Sequence, residues 1–221
     1  MVKAVIFDMD GILIDSEPLW KIADIEAYGK VGIKLTAEEC AQTTGMDTTS
    51  AVKYWFEKFP WNNRSLKEVQ DDIESIVKQL IIEKGESMPG VEYIFSFFEK
   101  LSIPIALASS SSMHIIEAVI SKLNIKSRLK VYHSAQYEKE GKPNPAVFLS
   151  TAKLLNVEPE NCLVFEDSIN GIKAAKNAKM KVVAIPDSHF KTSPQLAIAD
   201  MILNSFLKFD SEKLNKLQNM V

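Results

Sequence analysis

The chain has 221 residues, 46% of them hydrophobic, enough for one sizeable core or for a core domain with a smaller insert. Its 26 basic and 29 acidic residues are interspersed and leave a net charge of -3, so no basic face is set aside for nucleic acid or for a membrane surface. The only two cysteines, Cys40 and Cys162, lie far apart and no stretch approaches the ~18 apolar residues of a membrane span, which argues against a disulfide scaffold, a cysteine metal centre and a transmembrane protein.

The opening run MVKAVIFDMDG meets two acidic residues before any signal-peptide core could form, so a cytoplasmic location is expected. Lys3 to Asp8 is the first of five short apolar segments rich in β-branched residues; the others are Ile103 to Ser109, Lys130 to Ala135, Cys162 to Asp167 and Lys181 to Pro186. Each reads as a buried strand. Segments of helical period separate them: Val91 to Leu101, Met113 to Leu123, Pro145 to Leu155 and Ile169 to Ala178. This alternation predicts an α/β fold with a mostly parallel sheet and helices on both faces. Asn144 before Pro145 reads as an N-cap and first-turn pair, and Ser168 as the cap of the helix after the fourth strand.

From Ser16 to Ser87 the alternation stops and no strand pattern is present. Thr36-x-x-Glu39 and Ser65-x-x-Glu68 are capping-box patterns, and Asp47 can cap a helix running through Val52, Trp55 and Phe56. A helical insert is predicted, with exits near Asp15 and near the Met88-Pro89-Gly90 turn.

Ligands of an open α/β sheet bind beyond the carboxyl ends of its strands. The first predicted strand ends in Asp8-Met9-Asp10-Gly11, the second in four serines from Ser109 to Ser112, the fourth in Glu166-Asp167-Ser168. Asp8 and Asp10, two apart and released from strand geometry by Gly11, can approach one centre, and Asp167 would add a third anionic oxygen. Crowded carboxylates repel, and a hard divalent cation with oxygen ligands relieves them; so small a site suits magnesium (Mg2+). An Asp-x-Asp alone reads more readily as a turn or cap. Its conjunction with Asp15-Ser16-Glu17, Ser109, Lys142-Pro143 and Glu166-Asp167-Ser168-x-x-Gly171 does not read as four independent caps.

Taken together, FDMDGILIDSEP, the serine run, Lys142 and VFEDSINGIKAAKNA resemble the four motifs of the haloacid dehalogenase-like hydrolase superfamily, in the order of members with a helical cap after the first motif. The resemblance implies a Rossmann-like core formed by residues 1–14 and 88–221 and a four-helix cap formed by residues 15–87. It implies that Asp8 is the nucleophile that attacks phosphorus and also binds magnesium. Asp10 becomes the general acid and base, with its backbone carbonyl as a metal ligand, and Asp167 becomes the metal-binding acid, with Glu166 ligating directly or through water. Ser109 would hydrogen-bond the phosphoryl group, helped by the N–H groups of Met9, Asp10 and Ser110, and Lys142 would neutralise nucleophile and phosphate. The chain departs from many relatives around that lysine, reading Gly141-Lys142-Pro143-Asn144; Asn144 is read as a helix cap.

Within the superfamily, Asp10 argues for phosphoryl chemistry over dehalogenation. Asp15 to Trp20, Gly45-Met46 and Pro60-Trp61-Asn62 resemble the bacterial hexitol phosphatase and 2-deoxyglucose-6-phosphate phosphatase group, which implies sugar or sugar-alcohol phosphates as substrates. β-Phosphoglucomutases, the alternative, commonly have a histidine at the position of Trp20, and an indole cannot replace its proton chemistry. A non-catalytic phosphometabolite binder, a third reading, would be marked by loss of Asp8, Asp10 or Lys142, and all three are present. Trp20 and Glu17, near the cap hinge, are candidate substrate contacts, and for Glu17 a solvated first-turn acid is an equal reading. Trp55 and Trp61 read as core, and His114, His133 and His189 have no spacing that supports a zinc site. The expected partner is a small phosphorylated metabolite, and the chain is expected to act as a monomer.

Overall fold

The computed structural model describes residues 1–186 and 191–220. At the centre of its sheet is β1 (Ala4–Phe7), four apolar residues that are all buried. β2 (Ile105–Ser109) pairs with it on one side and β4 (Cys162–Glu166) on the other, both in parallel. With β3 (Leu129–Ser134), β5 (Lys181–Ala184) and β6 (Met201–Ile202) the order is β3-β2-β1-β4-β5-β6, and every pairing is parallel. The five strands read from the sequence are present with small shifts at their ends; β6, a two-residue edge strand, is an addition.

The connecting helices are α5 (Val91–Lys100), α6 (Met113–Lys122), α7 (Ala146–Leu155) and α8 (Ile169–Asn177), and α9 (Ser211–Asn219) follows the last strand. Successive strand residues point to opposite faces, so β1 divides its side chains between two cores. Val5 and Phe7 join an aromatic layer in which Phe7 stacks on Phe165 at 5.0 Å and Phe98 and Phe209 complete the packing. Ala4 and Ile6 face the second core, where Ala106, Ala108, Ala174 and Ala175 are buried with Val147 and Phe148. Cys40 and Cys162 are buried free thiols. Among the described residues no helix is long and apolar enough to cross a membrane.

The start of α7 corrects the sequence reading. Pro145, and not Asn144, occupies the N-cap position, and Asn144 Oδ1 accepts from the Ala146 N–H at 3.0 Å. The side chain thus closes a short turn to the residue two ahead, the local bond that Asn forms most readily. Ser168 does cap α8, accepting from the Gly171 N–H at 3.0 Å.

Between β1 and α5 lie α1 (Glu17–Gly29), α2 (Ala37–Cys40), α3 (Thr48–Lys58) and α4 (Leu66–Lys84). Both capping boxes form, and Asp47 caps α3. Trp55 and Trp61 each lie 6.2 Å from Tyr28 in a buried aromatic centre, which makes them structural. The two segments that join these helices to the sheet run side by side: Asp15 N–H donates to the Glu86 carbonyl and Met88 N–H to the Leu13 carbonyl, each at 3.0 Å. Ser65→Ala removes one hydroxyl cap from α4 and is expected to lower the urea unfolding free energy by about 1 kcal/mol.

Candidate active site

The carboxyl ends of β1, β2 and β4 meet where the connections leave the central strand in opposite directions, which is where an open α/β sheet forms its crevice. A cavity of about 390 Å³ opens there, with Asp8, Asp10, Ser109, Lys142 and Asp167 on the sheet side and α1 and the 44–48 segment opposite. Gly11, at φ +72°, turns the chain out of β1, and a Cβ there would collide with the Asp167 carboxylate. Gly171 serves Glu166 in the same way, because a Cβ on that turn of α8 would occupy the position of the Glu166 carboxylate.

Lys142 Nζ donates to Asp8 Oδ1 at 2.5 Å and to Glu166 Oε1 at 2.6 Å. The second oxygen of Glu166 accepts from the Ser168 N–H at 2.8 Å and from the Ser168 hydroxyl at 3.1 Å, so this fully buried carboxylate is engaged at both ends. Carboxylate oxygens of Asp8, Glu166 and Asp167 lie within 4.8 Å of one another. Burial pushes Asp8 up to about 7, against the pull of Lys142 and with the help of Glu166 and Asp10. Burial, Glu166 and Asp8 raise Asp167 well above the carboxylate range. Burial also disfavours the charge on Lys142, yet Asp8 and Glu166 outweigh it and hold the ammonium above the ordinary lysine range. The two partners of this ion pair fare differently because burial and the neighbouring acids outweigh the single ammonium at Asp8, whereas two carboxylates outweigh burial at Lys142.

Asp10 is held by both sides of the cavity. Its Oδ1 accepts from Ser16 Oγ at 2.5 Å and from Trp20 Nε1 at 2.9 Å, while Oδ2 accepts from Ser111 Oγ at 2.8 Å. Ser109 Oγ accepts from the Ser111 N–H at 3.0 Å and lies 3.5 Å from Asp10 Oδ2.

Residues 5–185 match the haloacid dehalogenase-like hydrolase family. The chain belongs to that family. It is 32% identical to hexitol phosphatase B of Escherichia coli, with 96% of each chain covered. It is 31% identical to a phosphorylated carbohydrates phosphatase of Thermotoga maritima, covering 80% of this chain and 82% of that one. The crystal structure of a β-phosphoglucomutase from Clostridium difficile superposes with a TM-score of 0.85 at 25% identity, covering 99% of this chain and 98% of the other.

In this haloacid dehalogenase-like hydrolase the fold gathers Asp8, Asp10, Ser109, Ser110, Lys142, Glu166 and Asp167 around one cavity, which Glu17 and Trp20 also line. Glu17 Oε1 accepts from Thr44 Oγ1 at 3.0 Å and pairs with Lys21 at 3.2 Å, so it is neither free nor simply solvated. His114 and His133 each face a glutamate, Glu74 at 3.3 Å and Glu138 at 2.7 Å, and His189 lies outside the described residues.

Sequence reasoning missed Ser16, Ser111 and Asp24. The serine run held Ser111 but gave no sign of which hydroxyl reaches Asp10. For Asp24 a signal existed: Glu17, Lys21 and Asp24 fall on one face of α1 at helical spacing. Asp24 lines the cavity, and burial, with Glu17 adding to it, pushes its carboxyl up to about 7.

Proposed function

We propose that this hydrolase is a magnesium-dependent phosphatase of small phosphate monoesters, acting on sugar or sugar-alcohol phosphates through an aspartyl-phosphate on Asp8. The observation that carries this reading is the excess of buried carboxylates over ammonium at Asp8, Lys142, Glu166 and Asp167, with Asp10 beside them.

That excess fits a hard dication bound by oxygen. Asp8, Asp167 and the main-chain carbonyl at Asp10 would hold it, with Glu166 joining directly or through water. Magnesium, when bound, supplies positive charge to the nucleophile and to the phosphoryl oxygens. Because both oxygens of Glu166 are engaged by Lys142 and Ser168, its larger part is to hold the lysine in place.

Lys142 brings positive charge to the attacking oxygen and the incoming phosphate, and the hydroxyl of Ser109, with the N–H groups of Met9, Asp10 and Ser110, binds phosphoryl oxygens. Asp8 attacks phosphorus while Asp10 protonates the leaving oxygen; Asp10 then takes a proton from the water that cleaves the aspartyl-phosphate. Residues 15–87 form the cap domain, hinged where the two connecting segments pair, and its closure excludes bulk water and selects the substrate. Trp20 and Glu17 lie on the cap side of the cavity, where they can meet the part of the substrate beyond the phosphate.

The names of two relatives, hexitol phosphatase B and a phosphorylated carbohydrates phosphatase, support a sugar or polyol ester. The β-phosphoglucomutase likeness favours a second reading, phosphoryl transfer between sugar hydroxyls. A screen of hexose, hexitol, pentose, glycerol and glycolate phosphates, with and without a chelator, separates them. Phosphate release from a hexose or hexitol phosphate that stops with the chelator is expected. Conversion of glucose 1-phosphate into glucose 6-phosphate with little phosphate released would establish the mutase, and inertness toward every ester would support a binder.

A further inference from the structure

The two oxygens of Asp10 have partners of different kinds. Oδ1 faces Trp20 Nε1 and Ser16 Oγ, and Oδ2 faces the serine loop through Ser111 and Ser109. An indole N–H donates and never accepts, whereas a serine hydroxyl can turn from donor to acceptor. A carboxyl's carbonyl oxygen accepts better than its hydroxyl oxygen, so the indole N–H favours Oδ1 as the acceptor, whereas both partners of Oδ2 are hydroxyls that can turn to receive its proton. The contacts therefore bias a proton on Asp10 toward Oδ2, the oxygen beside Ser109 and Ser111.

We propose that Trp20 is a positioning residue for proton transfer: its indole N–H fixes the Asp10 carboxyl and reserves Oδ1 as acceptor, so that Oδ2 carries the proton given to the leaving alcohol. This rests on the reading of Asp10 as general acid. In the first step a bond forms between an Asp8 oxygen and phosphorus, the ester P–O bond breaks, and the leaving oxygen takes the proton from Asp10 Oδ2. In the second, water adds to phosphorus, the bond to Asp8 breaks, and the proton lost by water returns to Oδ2. Trp20 lies on α1, on the far wall of the cavity from β1, so the acid is correctly aimed only while α1 sits over the sheet.

The test is the leaving-group dependence of kcat/KM, which covers the steps through formation of the phosphoenzyme. An alkyl phosphate such as sorbitol 6-phosphate expels a poor leaving group that needs the proton, and p-nitrophenyl phosphate expels a good one that does not. The ratio of the two kcat/KM values in one preparation cancels any inactive fraction. Trp20→Phe in the full chain with magnesium is expected to lower kcat/KM roughly 10- to 10²-fold on the alkyl ester and only about threefold or less on the aryl ester. Trp20→His, which keeps an N–H donor, is expected to hold the ratio near that of the natural protein.

An unchanged ratio in Trp20→Phe overturns the proposal, and so does a ratio lost in Trp20→His, which also decides the matter if the Phe variant does not fold. Asp10→Asn separates this inference from the reading beneath it. It is expected to fall ~10² to 10⁴-fold on the alkyl ester, with a much smaller loss on the aryl ester. If it discriminates and Trp20→Phe does not, only the role of Trp20 fails; if Asp10→Asn itself does not discriminate, the general acid is misassigned.

Discussion

Asp8→Asn is expected to reduce phosphate release by roughly 10⁴-fold or more while leaving the metal-free protein at least as stable as the natural one. The first effect follows because an amide does not attack phosphorus. The second follows from the charge imbalance at the site. Burial, assisted by Glu166 and Asp10 and opposed by Lys142, lifts Asp8 from an ordinary 3.8 to about 7. A carboxyl whose pKa is higher folded than unfolded favours folding in its protonated form. Its ionisation penalty is therefore absent below the unfolded value, grows through the window up to the folded value, and is complete above it. Between about pH 4 and 7 this one group withdraws on the order of a few kcal/mol from the metal-free protein. An asparagine carries no such penalty, and its oxygen can still accept from Lys142. Thermal unfolding in chelator at pH 5 and pH 8 reads the difference: the natural protein should lose more between the two than Asp8→Asn. A steeper loss in the variant would contradict the charge argument, and a fully active variant would remove Asp8 from the chemistry. Magnesium should raise the melting temperature of the natural protein more at pH 8 than at pH 5, since only ionised acids bind it well.

The parts of this molecule that were legible in its sequence are those specified by neighbours along the chain. A run such as Ala4 to Phe7 is apolar at every position because both its faces are covered, and that pattern needs no partner to be recognised. Asp8 and Asp167 follow directly on strands and Asp10 comes two residues after Asp8, so placing the strands placed the acids. The capping boxes at Thr36 and Ser65 are four-residue patterns and formed as read. Bonds between distant segments were not legible. Ser111 meets Asp10 from 101 positions away, and the indole of Trp20 reaches Asp10 only because α1 is folded back over the end of β1. The sequence marks Trp20 as a candidate substrate contact; its ring does line the cavity, but its N–H is committed to Asp10. β6 escaped because two residues carry no periodicity, and Asn144 was misplaced by one position because an Asx turn and an N-cap have the same local composition.

Lys142 is where stability and chemistry are most tightly joined, and its removal is expected to damage both. Its side chain is 4% exposed and lies between Asp8 and Glu166, with its ammonium 4.9 Å from the centre of the Phe148 ring. Lys142→Met replaces that chain with an apolar one of similar length, so packing is nearly kept and charge alone is lost. Three acids then share a buried site with no cation, and removing one member of a buried ionic group costs about 3 to 5 kcal/mol. Urea unfolding in chelator at pH 8 should show a loss of this size. The gap should narrow toward pH 5, because the remaining acids escape their repulsion by taking up protons, and added magnesium at pH 8 should restore part of it. Activity should fall even where magnesium restores the fold, because the metal cannot also occupy the position from which the ammonium neutralises the attacking oxygen and the phosphate. A variant equal in stability to the natural protein in chelator at pH 8 would mean that the acids are already protonated in the metal-free fold. Cation binding would then have to displace their protons, and magnesium affinity would rise steeply with pH.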